Sequence, residues 1–199
     1  LGCGLATAGL CLLTRVPGIR VTGLEVQPWL VELAEKNADL NSCDGLFRVI
    51  AGDVAAPPTA LTAESFDHVM LNPPYLEAGT TRVSAHEQRR IATVEGPAGL
   101  DPWLNCAIAL LRPRGSLTVI HRAERLQTIL TLLSENCGDV AVFPLWPRHG
   151  EGAKRILVQA LKGSGGPLRM LPGLVLHDAD GCFTPEAQAV LRDASGLAL

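Results

Sequence analysis

Short apolar runs alternate with amphipathic segments along most of the chain. The apolar runs predict buried strands at residues 19–24, 46–51, 66–71 and 116–120. Apolar residues at helical spacing predict a first helix that ends near residue 14 and further helices at 28–40, 99–111 and 123–133. Because these strands alternate with helices, they predict a parallel sheet of the α/β type.

The last part of the chain follows a different pattern. Residues 140–145 and 155–161 predict two strands with no helix between them, which favours an antiparallel pair, and residues 112–115 predict a turn. A glycine-rich linker, an extended segment at 171–176 and a short terminal helix capped by Thr184 and Pro185 follow. We therefore expect residues 1–161 to form one domain and residues 162–199 to be an extension that packs on it.

Length and charge narrow the class of protein. A chain of 199 residues is long enough for one α/β domain with a substantial core. Its net charge of −3 excludes the overall basic field common in tight nucleic-acid binders, so any RNA contact must come from local basic patches. No apolar run approaches the roughly 18 residues of a membrane span, and no secretory signal is visible.

The six cysteines are scattered, without a paired spacing and without histidines at ligand spacing. This pattern favours reduced thiols in a cytoplasmic protein and predicts no metal site. The chain opens within a glycine turn, and its first methionine is Met70. We therefore expect that upstream residues, including a first strand, are missing.

The sequence Asn72-Pro73-Pro74-Tyr75, called here the Asn-Pro-Pro-Tyr motif, directly follows the predicted strand 66–71. Proline cannot donate to a sheet ladder and keeps the preceding residue extended, so the strand must end at this motif. The motif then lies at the carboxyl edge of the sheet, where open α/β sheets bind ligands. The simpler alternative is a proline-rich loop that only ends a strand.

The motif suits methylation of a planar amino nitrogen. The side-chain oxygen of Asn72 and the carbonyl of Pro73 can accept both amine hydrogens and so direct the lone pair at a methyl donor. Tyr75 can stack on a base that is unpaired or flipped out. This pattern therefore favours an amino-group methyltransferase.

Three further features follow predicted turns and strand ends. Gly2 and Gly4 permit positive φ and a close backbone approach to a ligand, with a flexible chain start as the alternative. Glu25 lies about 20 positions after the glycines, where an acid can accept hydrogen bonds from ribose hydroxyls, with an ordinary surface charge as the alternative. Asp53 ends the next strand and suits the amino group of a bound adenine, although Gly-Asp is also ordinary turn chemistry. Together these residues predict a nucleotide-like cofactor.

Residues 76–98 form a long segment of weak periodicity, typical of a binding loop or lid, or of a solvated surface loop. The residues that we expect to contact RNA phosphates are Arg82, Arg89, Arg90, Arg148, Lys154 and Arg155.

Taken together, the sequence resembles the class I, Rossmann-like methyltransferases that use S-adenosylmethionine. The resemblance rests on Gly2-Cys3-Gly4, Glu25, Asp53 and the Asn-Pro-Pro-Tyr motif in that order, and on the antiparallel final pair. The motif is shared by adenine-N6 and glutamine-N5 enzymes. Residues 110–115, 120–122, 155–158 and 174–177 are similar to the bacterial tRNA1(Val) adenine-N6 methyltransferases, which modify the adenine just 3′ of the anticodon.

The resemblance implies a doubly wound, mostly parallel sheet with an antiparallel final pair, lacking its first strand here. It implies direct in-line methyl transfer to tRNA without a metal, and leaves monomer and homodimer undecided. The implied catalytic residues are Asn72, Pro73, Pro74 and Tyr75. The implied residues for S-adenosylmethionine are Gly2, Cys3, Gly4, Glu25, Val26, Asp53, Val54 and Asn72.

The residues leave three alternative functions. A protein glutamine-N5 methyltransferase of the release-factor type uses the same motif on a side-chain amide. A non-catalytic module that binds a nucleotide or RNA does not need Glu25, Asp53 and the motif together. A dehydrogenase lacks the third glycine of a full dinucleotide fingerprint at the expected spacing.

Overall fold

The computed structural model describes residues 1–43, 45–75 and 99–199. These residues form two compact units, Leu1–Ala63 and Glu64–Leu199.

The first unit is a pair of parallel strands with two helices. Its elements are α1 (Thr7–Arg15), β1 (Val21–Glu25), α2 (Pro28–Leu40) and β2 (Phe47–Ala51). The ladder of β1 and β2 runs from Val21 opposite Phe47 to Glu25 opposite Ala51. Its buried core consists of Ala6, Ala34, Ala38, Cys43 and Phe47. Small residues on α1 and α2 leave room for the Phe47 ring between helices and sheet, as Gly9 illustrates: a Cβ there would lie 2.9 Å from the ring.

The second unit contains the larger sheet. Its elements are β3 (Phe66–Leu71), α3 (Asp101–Leu110), β4 (Leu111–Arg122), a 3-10 turn (Ala123–Arg125), α4 (Leu126–Leu133), β5 (Cys137–Trp146), β6 (Arg155–Lys162), β7 (Arg169–Met170), β8 (Leu174–Val175) and α5 (Pro185–Arg192). The strand order is β3-β4-β6-β5-β7, and β8 also pairs with β5. β3 and β4 are parallel, whereas β6 is antiparallel to both β4 and β5. The predicted antiparallel final pair is therefore confirmed.

The prediction of a turn at residues 112–115 is wrong, because these residues lie within β4. The register shifts there, from Phe66 opposite Leu111 to His68 opposite Ser116, so the segment forms an irregular bulge in the strand. Arg114 has φ 66°, and a Cβ at Gly115 would lie 3.0 Å from the Asp67 carbonyl. The proline and glycine that suggested a turn produce a bulge because β3 continues to pair alongside.

The end of the chain packs against β5. β7 and β8 both pair with β5 in parallel, and Trp146 Nε1 donates to the Pro172 carbonyl at 3.0 Å. The predicted cap of the terminal helix is confirmed, because the Thr184 hydroxyl accepts from the Ala187 N–H at 3.1 Å. The short strands cover the edge of β5, which protects its backbone from pairing with other chains. The division of the chain at residue 161 stays a prediction.

No helix within the described ranges is long and apolar enough to cross a membrane. All six cysteines are free thiols, and Cys43, Cys106 and Cys137 are buried.

Candidate active site

The glycine loop, residues 1–6, is fixed to the carboxyl end of β1 by its backbone. Gly2 and Gly4 have φ of 62° and 53°, so both adopt the left-handed conformation that glycine tolerates best. The Cys3 N–H donates to the Leu24 carbonyl at 3.0 Å. A Cβ at Gly4 would meet nothing within 4 Å, so backbone conformation rather than crowding favours glycine there. The loop thus leaves open space beside its backbone.

Glu25 braces this loop from the end of β1. Its side chain is buried, and its two oxygens accept hydrogen bonds from the Gly4 N–H at 2.9 Å and the Gln27 N–H at 3.0 Å. A carboxylate has about four lone-pair sites, so each oxygen retains the capacity to accept one more hydrogen bond. Glu25 can therefore hold the loop and still accept a ligand hydroxyl.

Asp53 lies at the same edge of the two-stranded sheet, because Ala51 is the ladder partner of Glu25. It is exposed, and its Oδ1 accepts from the Ala55 N–H at 2.9 Å, which closes a local turn. The other two predicted residues follow these acids directly: Val26 is 49% exposed and Val54 is half-buried. The first unit thus brings Glu25 and Asp53 to one edge, with the glycine loop bonded to Glu25.

Cys3 serves packing in the loop. A Cβ at Gly23 would lie 2.6 Å from the Cys3 sulfur, so the thiol occupies the space that the missing side chain leaves on β1. Burial, and then the nearby Glu25 carboxylate, raise the pKa of Cys3 to about 11. The thiol is therefore protonated at neutral pH and is a poor nucleophile.

The Asn-Pro-Pro-Tyr motif follows β3 directly, as the sequence predicts. Asn72 is exposed at the end of the strand, while Pro73 is fully buried and anchors the chain. The Tyr75 hydroxyl donates a hydrogen bond to Asn72 Oδ1. The side-chain oxygen of Asn72 is therefore the acceptor that faces the Tyr75 hydroxyl.

His121 is a residue of this site that the sequence reasoning did not single out. Its side chain is fully buried near the end of β4, and its Nε2 lies 3.3 Å from the Pro74 carbonyl oxygen. Because a carbonyl only accepts, Nε2 must carry the proton. The imidazole also packs against the Tyr75 ring in a T-shaped arrangement, with centroids 5.2 Å apart and an interplanar angle of 80°.

The pKa of His121 is lowered, mainly by burial. The smaller effects on this pKa, from larger to smaller, are the hydrogen bond to the Pro74 carbonyl, which raises it, the charges of Arg125 and Arg122, which lower it, and the charge of Glu124, which raises it. His121 is therefore neutral at physiological pH. One sequence signal could have found it: His121 continues the alternation of buried positions at Leu117 and Val119, so a polar side chain falls on the buried face of the strand.

The sheet register explains why these residues meet. Leu71 pairs with Val119 in the parallel ladder, so two residues further along Pro73 is level with His121. Arg155 begins the antiparallel β6 opposite Arg122, at the same edge. Its guanidinium carbon lies 5.7 Å from the Tyr75 ring centroid, within cation–π range.

Of the other basic residues proposed for RNA contact, two precede Arg155 in the chain and three lie outside the described residues. Arg148 is exposed and pairs with Glu151 at 3.4 Å, and Lys154 is exposed. Arg82, Arg89 and Arg90 belong to the segment 76–98, which lies outside the described residues.

Among α/β proteins, an acid at the end of a strand that braces a glycine loop is typical of nucleotide-like cofactor sites. Residues 1–96 match the family model of the methyltransferase small domain. The fold is that of the Rossmann-like class I methyltransferases, and this match supports a methyltransferase that uses S-adenosylmethionine. The open backbone at Gly4 and the spare acceptor capacity of Glu25 fit the amino-acid and ribose groups of that cofactor.

Similar proteins narrow the resemblance further. The tRNA1(Val) (adenine(37)-N6)-methyltransferase of Porphyromonas gingivalis is 27% identical over 196 residues, which covers 94% of this chain and 74% of that protein. A release factor glutamine methyltransferase of Chlorobaculum tepidum is 28% identical over 148 residues, covering 71% of this chain and 50% of that protein. A solved structure of a predicted O-methyltransferase from Agrobacterium tumefaciens superposes with a TM-score of 0.82 at 27% identity, covering 100% of this chain and 89% of that one. The chain resembles the bacterial tRNA1(Val) adenine-N6 methyltransferases.

Proposed function

We propose that this protein transfers a methyl group to the N6 nitrogen of an adenine in tRNA, and that its target is the adenine 3′ of the anticodon of tRNA1(Val). The observation that carries the proposal is the exposed Asn72 amide oxygen next to the Tyr75 ring at the end of β3. An acceptor beside an aromatic ring suits a planar base that carries an amino group.

S-adenosylmethionine supplies the electrophilic methyl group when it is bound. We assign its contacts to the backbone of the glycine loop, to Glu25 for the ribose and to Asp53 for the adenine, with Val26 and Val54 bordering the pocket. The backbone bonds of Glu25 keep the loop and the carboxylate in place before the cofactor arrives. This preorganisation reduces the entropy lost on binding.

Asn72 and Pro73 orient the amine. An exocyclic amine on a base is a poor nucleophile because its lone pair is delocalised into the ring. Asn72 Oδ1 has two lone pairs, so one can accept from Tyr75 and the other from an amine hydrogen. The Pro73 carbonyl accepts the second hydrogen, which turns the lone pair toward the methyl donor. The nitrogen loses its proton to solvent after methyl transfer.

Tyr75 provides the stacking surface for the base. Arg155 covers one face of the ring, so a base that stacks there replaces the guanidinium, and otherwise it takes the opposite face. Stacking of a base on an aromatic side chain contributes about 1–3 kcal/mol to binding. Because the base must leave its stack to reach Tyr75, an adenine in the anticodon loop is a more accessible target than one in a duplex.

Contacts to the RNA phosphates must come from local basic side chains, because the net charge of the chain is −3. Arg148 and Lys154 are exposed in the segment between β5 and β6, directly before Arg155. We assign phosphate contacts to these residues and, in residues 76–98, to Arg82, Arg89 and Arg90.

Methylation of a glutamine amide in a release factor is the second candidate, supported by the relative from Chlorobaculum tepidum. Its substrate presents a planar amide that the same two acceptors can hold. We prefer tRNA as the substrate because the alignment with the Porphyromonas gingivalis relative covers 94% of this chain, whereas the alignment with the glutamine methyltransferase covers 71%.

The decisive experiment offers tritiated S-adenosylmethionine with unmodified bulk tRNA and, separately, with an unmodified release factor. We expect label in tRNA, recovered as N6-methyladenosine and lost in Asn72→Ala. Label in the release factor alone would contradict the proposal and assign Asn72 to a glutamine amide. Cofactor binding without label in either substrate would favour a binding-only module.

The dependence of substrate binding on salt adds an independent test. Each phosphate contact on single-stranded nucleic acid contributes about 0.7 to the slope of log K against log salt concentration. We expect Arg148→Ala to reduce this slope by about one contact, with Glu151→Gln as the matched control for loss of the Arg148 ion pair. An unchanged slope in Arg148→Ala would contradict the assignment of a phosphate to this residue.

A further inference from the structure

We propose that His121 is a positioning residue of the Asn-Pro-Pro-Tyr motif, which it holds by a hydrogen bond to the Pro74 carbonyl and by packing against the Tyr75 ring. This inference rests on the proposed function, since it concerns how the motif orients the methyl acceptor. It adds a residue from β4 to a site that the motif alone does not define.

The hydrogen bond from His121 to the Pro74 carbonyl restrains ψ of Pro74, a backbone dihedral angle that the proline rings do not fix. Each proline ring fixes φ near −65°, so within the motif the direction of the chain into Tyr75 depends on ψ of Pro74. The Pro74 carbonyl lies 3.3 Å from His121 Nε2, and fixing the direction of this carbonyl fixes that ψ. His121 thereby sets where the backbone carries Tyr75.

The ring contact extends this control to the amide. Tyr75 packs at 5.2 Å and 80° against His121, and its hydroxyl donates to Asn72 Oδ1. A Tyr75 ring held in one orientation presents its hydroxyl to one oxygen. The Asn72 amide is therefore oriented through Tyr75 by a residue that does not contact the substrate.

Burial supports a specific role for this histidine. His121 is fully buried, with 0% of its surface accessible, and its neighbours on the same face of the strand are Leu117 and Val119. A buried polar side chain destabilises a fold unless it forms hydrogen bonds, and an apolar residue would fill the space without that cost. The charged groups that face or flank it are Arg122, Glu124 and Arg125 after it in the chain and Arg155 from β6.

Three substitutions separate the two contacts. His121→Gln keeps an N–H donor at the reach of Nε2 but has no ring, whereas His121→Phe keeps a ring but cannot donate. His121→Ala loses both. Leu117→Ala is the matched control, because it creates a cavity at an equally buried position on the same face of β4.

Methyl transfer to tRNA under single-turnover conditions gives the first readout. We expect His121→Ala to lower the rate about 10- to 100-fold, the range for misplacement of reacting groups by remote changes. His121→Gln and His121→Phe should each retain part of that rate. The dissociation constant for S-adenosylmethionine should stay within twofold in all three. Leu117→Ala should lower the melting temperature without a comparable loss of rate.

The second readout does not depend on activity, because Tyr75 is the single tyrosine of the chain. Incorporation of 3-fluorotyrosine therefore places one ¹⁹F signal in the site. We expect this signal to move toward the value of an unfolded peptide in His121→Ala, to stay dispersed in His121→Phe, and to stay unchanged in Leu117→Ala.

These readouts separate the two levels of the argument. A His121→Ala protein with the wild-type ¹⁹F signal, or with a wild-type rate of transfer, overturns the inference. If the wild-type protein methylates no tRNA, the proposed function fails, and the ¹⁹F signal still decides whether His121 positions Tyr75. If His121→Ala does not fold, the comparison of His121→Gln with His121→Phe decides, and wild-type rates in both overturn the inference.

Discussion

The two candidate binding regions of this protein are built by different means. In the first unit, backbone groups hold the site: Glu25 accepts from the N–H groups of Gly4 and Gln27, and the Cys3 N–H donates to Leu24. In the second unit, side chains hold the Asn-Pro-Pro-Tyr motif, and these side chains come from distant parts of the chain. Tyr75 bonds to Asn72 and is packed by His121 and Arg155 from two other strands.

This difference separates the two tasks of a methyltransferase. A cofactor that is the same in every reaction suits a rigid backbone cradle, whose geometry depends mainly on glycines and one acid. A substrate amine must be held within about half an ångström of its productive position, and supporting side chains set that position. We therefore expect substitutions in the first region to change cofactor affinity and stability, and those in the second to change the rate.

The largest effect is expected from Asn72→Ala. Loss of one preorganised polar group at a reacting centre lowers kcat about 10²–10³-fold, while cofactor affinity should change much less. Tyr75→Phe is the matched variant: it keeps the ring but removes the hydroxyl that orients Asn72, and one hydrogen bond corresponds to about a 2- to 13-fold change. Single-turnover methylation and calorimetric titration of the cofactor measure both quantities. A Tyr75→Phe rate equal to that of Asn72→Ala would contradict this ranking.

The next effect is expected from Glu25→Gln. The amide group cannot accept from both backbone N–H groups, and it removes a charge-assisted hydrogen bond, which contributes about 1.5–3 kcal/mol. Cofactor affinity should fall about tenfold to a hundredfold, as measured by calorimetry. Glu32→Gln is the control, because Glu32 is exposed on α2 and is not one of the residues assigned to the cofactor. Equal losses in the two variants would contradict the bracing role of Glu25.

A smaller effect on stability is expected from Gly4→Ala. Its φ of 53° costs an alanine about 1–2 kcal/mol, although the added Cβ meets no atom within 4 Å. Gly152→Ala is the control, because its Cβ also meets nothing and its φ is not positive. Thermal or denaturant unfolding should show a loss only in Gly4→Ala. Similar unfolding of both variants would show that backbone conformation at Gly4 is not the cause.

The smallest effect concerns the Cys3 thiol. Because its pKa is raised to about 11, the folded protein holds this proton more tightly than the unfolded chain does. Its contribution to stability is therefore present below about pH 9 and is lost as the pH rises from there toward 11. At pH 8 iodoacetamide should label the exposed Cys11 well before Cys3, as mass spectrometry can follow. Glu25→Gln should speed the labelling of Cys3, and no change would contradict the effect of that carboxylate.

His121 titrates in the opposite sense. Its lowered pKa means that the unfolded chain binds a proton more readily than the folded protein. The contribution of His121 is present above the ordinary histidine pKa of about 6.5 and is lost as the pH falls below it. His121→Phe should flatten that part of the stability profile.

The sequence by itself determined the elements and the two motifs. The alternation of apolar runs and amphipathic segments predicted the helices and strands, because their periods of 2 and 3.6 residues depend on local geometry alone. The Asn-Pro-Pro-Tyr motif follows β3 as predicted, because two prolines cannot continue a ladder. Glu25 was predicted for the same kind of reason, from its spacing after the glycines and its place at a strand end.

Only the tertiary structure decided which side chains support the motif. His121 lies 47 positions after Pro74 in the chain, and nothing in the local sequence pattern links the two residues. The parallel register of β3 and β4 brings them level. The antiparallel register of β6 adds Arg155, for which the sequence alone predicts only an RNA contact. The sequence likewise predicts a turn at 112–115, whereas the structure has a bulge there, because pairing with β3 is a long-range interaction. Strand pairing sums contacts between distant segments, and local sequence preferences do not contain that information.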